Sequence, residues 1–474
     1  MAITAEKGGE AVKKRTAGLW GMALLLCLTL TGCFFRPVDE LYTIPQPPKD
    51  YEALQARLSE VVAQGGEYAA PLTGEMIQSV QLQDLNGDGR QEAIAFFRMS
   101  SEEKPLKIYI FRQVGEEYET FAVIEGAGAA INCVDYVQMD DEPFKEMVVS
   151  WQMTAQVHSL AAYSVGPEQV EELMRTDYDS YQLFDLDQDN QQELVVFRTA
   201  AGSVPQAELY DFDGVLTRTS AAPLSVGAYV GADGAIKSEY LTSVQKGYLS
   251  DKVPALFATS SYGENGSITD VFAVRDGKLE NVTLDGETGE SGETVRFYTQ
   301  VAVRDINGDG VMEIPQPVPL TDYRITADTV SFWLIHWRQF DSQGNAAQVF
   351  TTYHNDRDGW YFVLPGEWDN NLTLSRSDLA GGGERGVTFS YWTGEPGMEP
   401  LPFLTIYKLT GSNRAVRARS GNRFLLWPMN ALDHPDQSAT IYAAEFRDGW
   451  DCGLTEEQVR ERFAIIRTDW YSGY

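Results

Sequence analysis

The amino-acid sequence predicts a mainly β chain, repetitive over most of its length and followed by a smaller α+β domain. Three observations carry this. Three acidic nonapeptides recur in one register, at 84–92 (DLNGDGRQE), 185–193 (DLDQDNQQE) and 305–313 (DINGDGVME). Short β-branched and aromatic runs flank them, and the last third holds further aromatic runs that end in a helical pattern. Such runs, bounded by turn residues, read as strands.

Each nonapeptide places oxygen side chains at positions 1, 3, 5 and 9. These are Asp84, Asn86, Asp88 and Glu92; Asp185, Asp187, Asp189 and Glu193; and Asp305, Asn307, Asp309 and Glu313. A hard cation such as calcium takes about six to eight oxygens, one of them usually the backbone carbonyl of position 7. Arg90, Gln191 and Val311 stand there. Gly89 and Gly310 at position 6 allow the sharp reversal, and Asn190 is the best non-glycine substitute. Asp-Asn-Gly clusters are also good turns, but one register kept three times points to about three structural calcium ions.

An EF-hand would need a bidentate Glu at position 12 between two helices. Here that position holds Ala95, Val196 or Gln316, and the apolar runs before and after the loops are strand-like. The reading is therefore strand, loop, strand. A degraded fourth copy lies at 138–146, where Gln138 replaces the first carboxylate and Pro143 the turn residue. The closing glutamates Glu92, Glu146, Glu193 and Glu313 follow one another at 54, 47 and 120 residues, and the widest gap leaves room for a unit without a loop. Runs at 253–258 and 269–274 supply its strands. Periods near 50 residues suit four-stranded blades of a propeller or array.

On these loops and flanking strands the chain resembles the FG-GAP/VCBS repeat family. The resemblance implies integrin-like β-propeller repeats, with calcium held between strands. The expected organisation is a signal peptide over 1–32, a lipidated proline-rich tether over 33–49, a helix over 50–65, propeller repeats over 66–325 and the α+β domain over 326–474.

The N-terminus supports the first of these. Lys13, Lys14 and Arg15 precede an apolar stretch from Gly18 to Leu30, too short to span a bilayer. It ends in Leu30-Thr31-Gly32-Cys33, which resembles the bacterial lipobox. That resemblance implies a signal peptide cleaved before Cys33 and acyl chains, palmitate among them, on its sulfur and amine. Two or three such chains hold a protein firmly, because each buried methylene adds about 0.8 kcal/mol. Pro37, Pro45, Pro47 and Pro48 then stiffen the tether. The expected location is extracytoplasmic, anchored to a bacterial membrane.

The full chain has 37 basic and 69 acidic residues, a net charge of −32. A charge of that sign repels nucleic acid and anionic lipid headgroups, so neither is an expected partner. Of the four cysteines, Cys27 leaves with the signal and Cys33 is lipidated; Cys133 and Cys452 could pair or lie buried as apolar residues.

The helix over 50–65 places Tyr51, Leu54, Leu58, Val61 and Val62 on one face. The acidic run 285–293 lacks oxygens in the metal register and reads as a loop. Beyond residue 326, strands are expected at 330–337, 348–353, 360–364, 372–374, 387–392, 403–407, 424–427 and 440–444. A closing helix starts at Thr455, with Gln458 completing a capping box, and buries Val459, Phe463 and Ile466. With the segment Val363-Leu364-Pro365-Gly366-Glu367-Trp368, residues 358–470 resemble PsbP-like domains.

No catalytic signature stands out. His158, His336, His354 and His434 lack zinc spacing, and nucleophile elbows and phosphate-binding loops are missing. Trp333, His336 and Trp337 could form a sugar-stacking platform or belong to the core. Arg414, Arg417, Arg419 and Arg423 form a basic island, read as an acidic dock or a solvated hairpin. The expected role is binding or scaffolding toward a surface protein or glycan. The alternatives are a polysaccharide lyase or hydrolase using the propeller mouth, and a purely structural envelope component.

Overall fold

The computed structural model describes residues 52–199, 204–212, 215–231, 233–237, 239–298, 300–320, 332–368, 371–378, 382–395, 397–430, 432 and 439–466. The signal peptide, Cys33, the tether and Tyr51 lie outside these residues. Among those described, no helix is long and apolar enough to cross a membrane.

The chain divides into two units. The smaller contains the helix Glu52–Ala63, which buries Leu54, Leu58 and Val61, and the hairpin tip Gln113–Glu119. Within it, Arg57 Nε donates to the Tyr118 carbonyl at 2.6 Å. Val62, expected on the apolar face, is exposed.

The larger unit is mainly β, as the strand runs predict, and is built from antiparallel sheets. Sheet 1 holds Val80–Gln83, Glu92–Arg98, Leu106–Val114 and Glu117–Gly126, with the short strand Glu67–Tyr68. Sheet 2 holds Ala130–Val137, Glu146–Gln152, His158–Val165 and Val170–Tyr178. Sheet 3 holds Ser180–Phe184, Glu193–Arg198, Gln206–Phe212 and Leu216–Pro223. Sheet 4, the unit without a metal loop, holds Leu241–Tyr248, Pro254–Tyr262, Gly266–Arg275 and Lys278–Asn281. Sheet 5 runs Ile314–Pro319, Trp333–Phe340, Ala346–Asn355, Trp360–Leu364 and, from the C-terminal end, Phe463–Ile465. Sheet 6 orders Leu372–Asp378, Glu384–Tyr391, Leu401–Thr410, Thr440–Phe446 and Phe424–Trp427.

Strand alternation divides each sheet between two cores, because successive side chains point to opposite faces. In sheet 2, Met147, Val149 and Trp151 pack with Ile94, Phe96 and Ile108 of sheet 1, whereas Val148, Leu160 and Ala162 pack with Leu194 and Val196 of sheet 3. Sheet 3 then turns Val195 and Phe197 toward Leu256 and Phe272 of sheet 4. Phe257 and Val271 of sheet 4 meet Ile314 and Phe340 of sheet 5. Tyr353 and Phe362 of sheet 5 meet Leu374, Phe389 and Phe403 of sheet 6. Each sheet thus stacks face to face on the next, the propeller-like arrangement expected of repeats that cannot bury both faces alone.

Two local expectations are corrected and one open alternative is decided. The C-terminal helix carries the expected Thr455–Gln458 capping box but ends at Arg462; Phe463 begins a strand paired with Trp360–Leu364 instead of a further turn. Trp333 and Trp337 alternate with His336 along their strand, and Trp337 is buried, its Nε1 donating to Thr352 Oγ1 at 2.8 Å. The trio therefore forms no single stacking face. The arginine island is the short helix Arg414–Ala418 and the turn after it, not a hairpin. Arg423 is bound there, donating to Glu384 at 2.8 and 3.0 Å and lying 3.8 Å over the Tyr407 ring. Cys133 and Cys452 are separate, buried thiols.

His354 is buried in sheet 5, its ring stacked on Tyr361 at 5.1 Å, and its Nε2 has no hydrogen-bond partner. Burial, assisted by Arg304, lowers its pKa to about 3. The folded pKa lies below the unfolded one, so the unfolded chain takes up this proton first and stability falls as pH drops below about 6.5. Between pH 7 and 5.5 this one group is expected to cost about 1.3 kcal/mol. His354→Phe keeps the ring stacking and should abolish that increment, measured as the difference between the two proteins' denaturant midpoints at each pH.

Candidate metal loops and their geometry

Every nonapeptide connects two neighbouring antiparallel strands or bridge partners in the same register. The residue before the loop faces the closing glutamate: Gln83 opposite Glu92, Val137 opposite Glu146, Phe184 opposite Glu193 and Arg304 opposite Glu313. Position 2 is apolar, and Leu85, Met139 and Leu186 are buried there. Its backbone N–H donates to the closing carboxylate in all four loops, at 2.9 Å for Leu85, 3.0 Å for Met139, 2.6 Å for Leu186 and 3.0 Å for Ile306. Position 9 is thus first a clamp on the loop's own backbone, with or without a full set of metal ligands.

In the three complete loops the first aspartate takes two further N–H groups, those of positions 4 and 6. Asp84 accepts from Gly87 at 2.8 Å and Gly89 at 3.0 Å; Asp185 from Gln188 at 2.7 Å and Asn190 at 3.0 Å; Asp305 from Gly308 at 2.7 Å and Gly310 at 2.9 Å. Both positions have positive φ in each loop, including 68° at Gln188 and 73° at Asn190. Position 4 was not singled out by sequence reasoning, although the paired glycines of the first and third loops are its signal. Oxygens of positions 3 and 5 accept from the N–H two residues on, as with Asp88 N to Asn86 Oδ1 at 3.0 Å and Gln191 N to Asp189 Oδ1 at 2.7 Å. The backbone is thereby wrapped around a small space edged by carboxylates.

The loops differ in how closely the acids gather. Asp185, Asp187, Asp189 and Glu193 bring carboxylate oxygens within 4.8 Å of one another, and so do Asp305, Asp309 and Glu313. These two clusters can hold a metal ion. Burial first, and the three aspartates around it, push the Glu193 carboxyl up to about 8; burial and Asp309 and Asp305 push Glu313 up to about 7. In the third loop Gln339 Nε2 donates to Glu313 at 2.7 Å and to Asp309 at 3.2 Å.

The first loop is engaged differently. Asp84, Asp88 and Glu92 form no such cluster; Asn86 Nδ2 donates to Glu92 at 2.8 Å and the Arg112 guanidinium stands 3.5 Å from it. Burial raises the Glu92 pKa, and the Leu85 N–H and Arg112 oppose it. In the degenerate fourth loop an amide ties the backbone together: Gln138 Nε2 donates to the carbonyls of Asp140, at 2.9 Å, and Glu142.

Beyond their own strands, the loops lace neighbouring sheets together. Lys145 N donates to the Leu85 carbonyl at 2.8 Å, Gln192 N to Gln138 at 2.8 Å, and Met312 N to Tyr248 at 2.9 Å. In each case the donor is position 8, the residue just before the closing glutamate. Gly87 is packed so closely on the next loop that a Cβ there would lie 2.4 Å from the Pro143 carbonyl oxygen. In the loop-less sheet 4, Lys252 takes the corresponding place. Its carbonyl accepts from Gln188 Nε2 at 3.2 Å, and its Nζ donates to the Asp309 carbonyl at 3.0 Å. The backbone bonds from position 8 have no sequence signature, since any residue but proline can supply them.

No family model matches the chain, and no curated protein matches it. Among solved structures, it is similar to the exotype rhamnogalacturonan lyase YesX at 12% identity, over 66% of this chain and 59% of that one, with a TM-score of 0.24. It is similar to BBS1N, solved in complex with ARL6DN, at 9% identity over 81% and 96% of the two chains (TM-score 0.26). TolB from Acinetobacter baumannii matches at 10% identity over 76% and 64% (TM-score 0.22). The chain spans about three fifths of the length of the rhamnogalacturonan lyase.

Proposed function

We propose that this protein is a calcium-stabilised module of the bacterial cell surface, held to the membrane by acyl chains on Cys33. It presents stacked FG-GAP/VCBS-like sheets as a binding or scaffolding surface for a protein or glycan. The observation that supports it most is the double use of the acidic loops. The Asp185 and Asp305 loops each gather carboxylates around a small space, and each hydrogen-bonds the neighbouring sheet at position 8. An ion held there fixes the boundary between two repeats, which suits a chain exposed to calcium outside the cell. Hard oxygen donors without histidine or thiolate favour calcium over transition metals.

The loops centred on Asp185 and Asp305 are the tighter sites. The Asp84 loop is the weakest, because Asn86 and Arg112 must release Glu92 first. Equilibrium dialysis against calcium should count two tightly held ions and a weaker third. Asp185→Asn and Asp305→Asn should each remove one tight ion; a count unchanged by both variants would refute the assignment.

A further inference from the structure

The first strands of sheets 1 to 4 converge on a cavity of about 480 Å³ that none of the metal loops explains. Its lining includes Glu75, Asp135, Tyr136, Tyr181, Gln182 and Lys246. Asp135 is half-buried, and Tyr181 donates its hydroxyl to Asp135 Oδ2 at 2.6 Å. Tyr136 is fixed by its own hydrogen bond to Gln81 Oε1 at 2.7 Å. The aromatic walls are therefore held in place before any ligand arrives.

Charge decides what the walls suit. Glu75 and Lys246 stand exposed at the cavity; burial first of all raises the Asp135 pKa, the Tyr181 hydroxyl and Lys246 oppose that rise, and Glu75 adds to it. Yet Lys246 forms no ion pair within 4.0 Å with either carboxylate. Two carboxylates and an ammonium thus face one space without neutralising one another. A purely cationic ligand would meet Lys246. A purely anionic one would meet Glu75 and Asp135 on a chain whose net charge is already −32. A molecule carrying both signs satisfies all three, and complementarity of this kind sets specificity.

We propose that this cavity binds a small zwitterion of the amino-acid or short-peptide class. Its ammonium lies toward Asp135 and Glu75, its carboxylate toward Lys246, and its apolar part lies between Tyr136 and Tyr181. The role assigned to this site is binding alone. The thiol that lines it, Cys133, is pushed up to about 11 by burial and by Asp135, so it stays protonated and unreactive at neutral pH. This assignment is independent of the calcium loops.

Calorimetric titration of the full chain, in calcium-containing buffer, tests it with alanine, trialanine, N-acetyl-trialanine, trialanine amide, galacturonate and glucosamine. Alanine, trialanine or both should bind, and which one does distinguishes a free amino acid from a peptide. The two blocked peptides should bind at least about tenfold more weakly, which is about 1.4 kcal/mol. Lys246→Met should erase the discrimination against the amide, and Asp135→Asn the discrimination against the N-acetyl form. Asp135→Asn retains an oxygen for Tyr181, and unchanged melting temperatures for both variants would show that folding is not the cause. Equal binding of blocked and free peptides, binding of galacturonate or glucosamine alone, or no heat with any probe would overturn the proposal.

Discussion

Replacing Glu193 with alanine is expected to destabilise the protein by about 2–3 kcal/mol in chelator and by roughly twice that in saturating calcium. The first part is local. Glu193 is buried and accepts the Leu186 N–H at 2.6 Å, and a buried donor left without its acceptor costs about 1–3 kcal/mol. The second part is the ion. A site filled at about 100 times its Kd adds about 2.7 kcal/mol, and that increment leaves with its ligand. Glu146→Ala separates the two contributions. Glu146 is fully buried and clamps Met139 N in the same way, but its loop lacks the first aspartate and is tied together by the Gln138 amide. It should lose the local 2–3 kcal/mol identically in calcium and in chelator. Glutamine replacements sharpen the contrast. Glu146→Gln keeps an oxygen for Met139 and should cost less than about 1 kcal/mol, whereas Glu193→Gln should retain the clamp but lose the calcium increment. Denaturant unfolding with calcium and with chelator measures all four variants.

Much of this was readable in the residues, for reasons that differ by level. The β-branched and aromatic runs became strands almost where the period-two pattern places them, because strands buried on both faces tolerate little else. The run at 253–258 correctly supplied a strand of the loop-less sheet, Pro254–Tyr262. The end of the last helix was missed because Phe463 continues the apolar spacing yet pairs with Phe362 across sequence, a contact invisible locally. Of the two readings open for Trp333, His336 and Trp337, alternation favours the core, because it sets His336 on the face opposite the two tryptophans and Trp337 is buried. Within the loops, side-chain oxygens announce themselves by type and spacing. Three features do not: Arg112 approaching Glu92, Gln339 reaching Asp309 and Glu313, and Lys252 spanning from Gln188 to Asp309. Arg112 and Gln339 come from the strand paired next to the one that follows their loop, and Lys252 from the neighbouring sheet, so only strand pairing and sheet stacking bring them in.

The second large effect is calcium removal itself, and it bears on the whole account, in which an ion in each acidic loop ties one sheet to the next. The Asp185 and Asp305 sites together are expected to add about 5 kcal/mol at calcium concentrations of about 100 times Kd. Magnesium should replace little of it, because it demands near-octahedral geometry and sheds its water reluctantly. The most direct measurement is therefore the melting curve of the protein in calcium, in magnesium and in chelator, repeated for Asp84→Ala, Asp185→Ala and Asp305→Ala. The account predicts a rise in melting temperature specific to calcium, reduced strongly by Asp185→Ala and by Asp305→Ala and least by Asp84→Ala. A melting temperature indifferent to calcium, or a rise that survives all three substitutions, would contradict it.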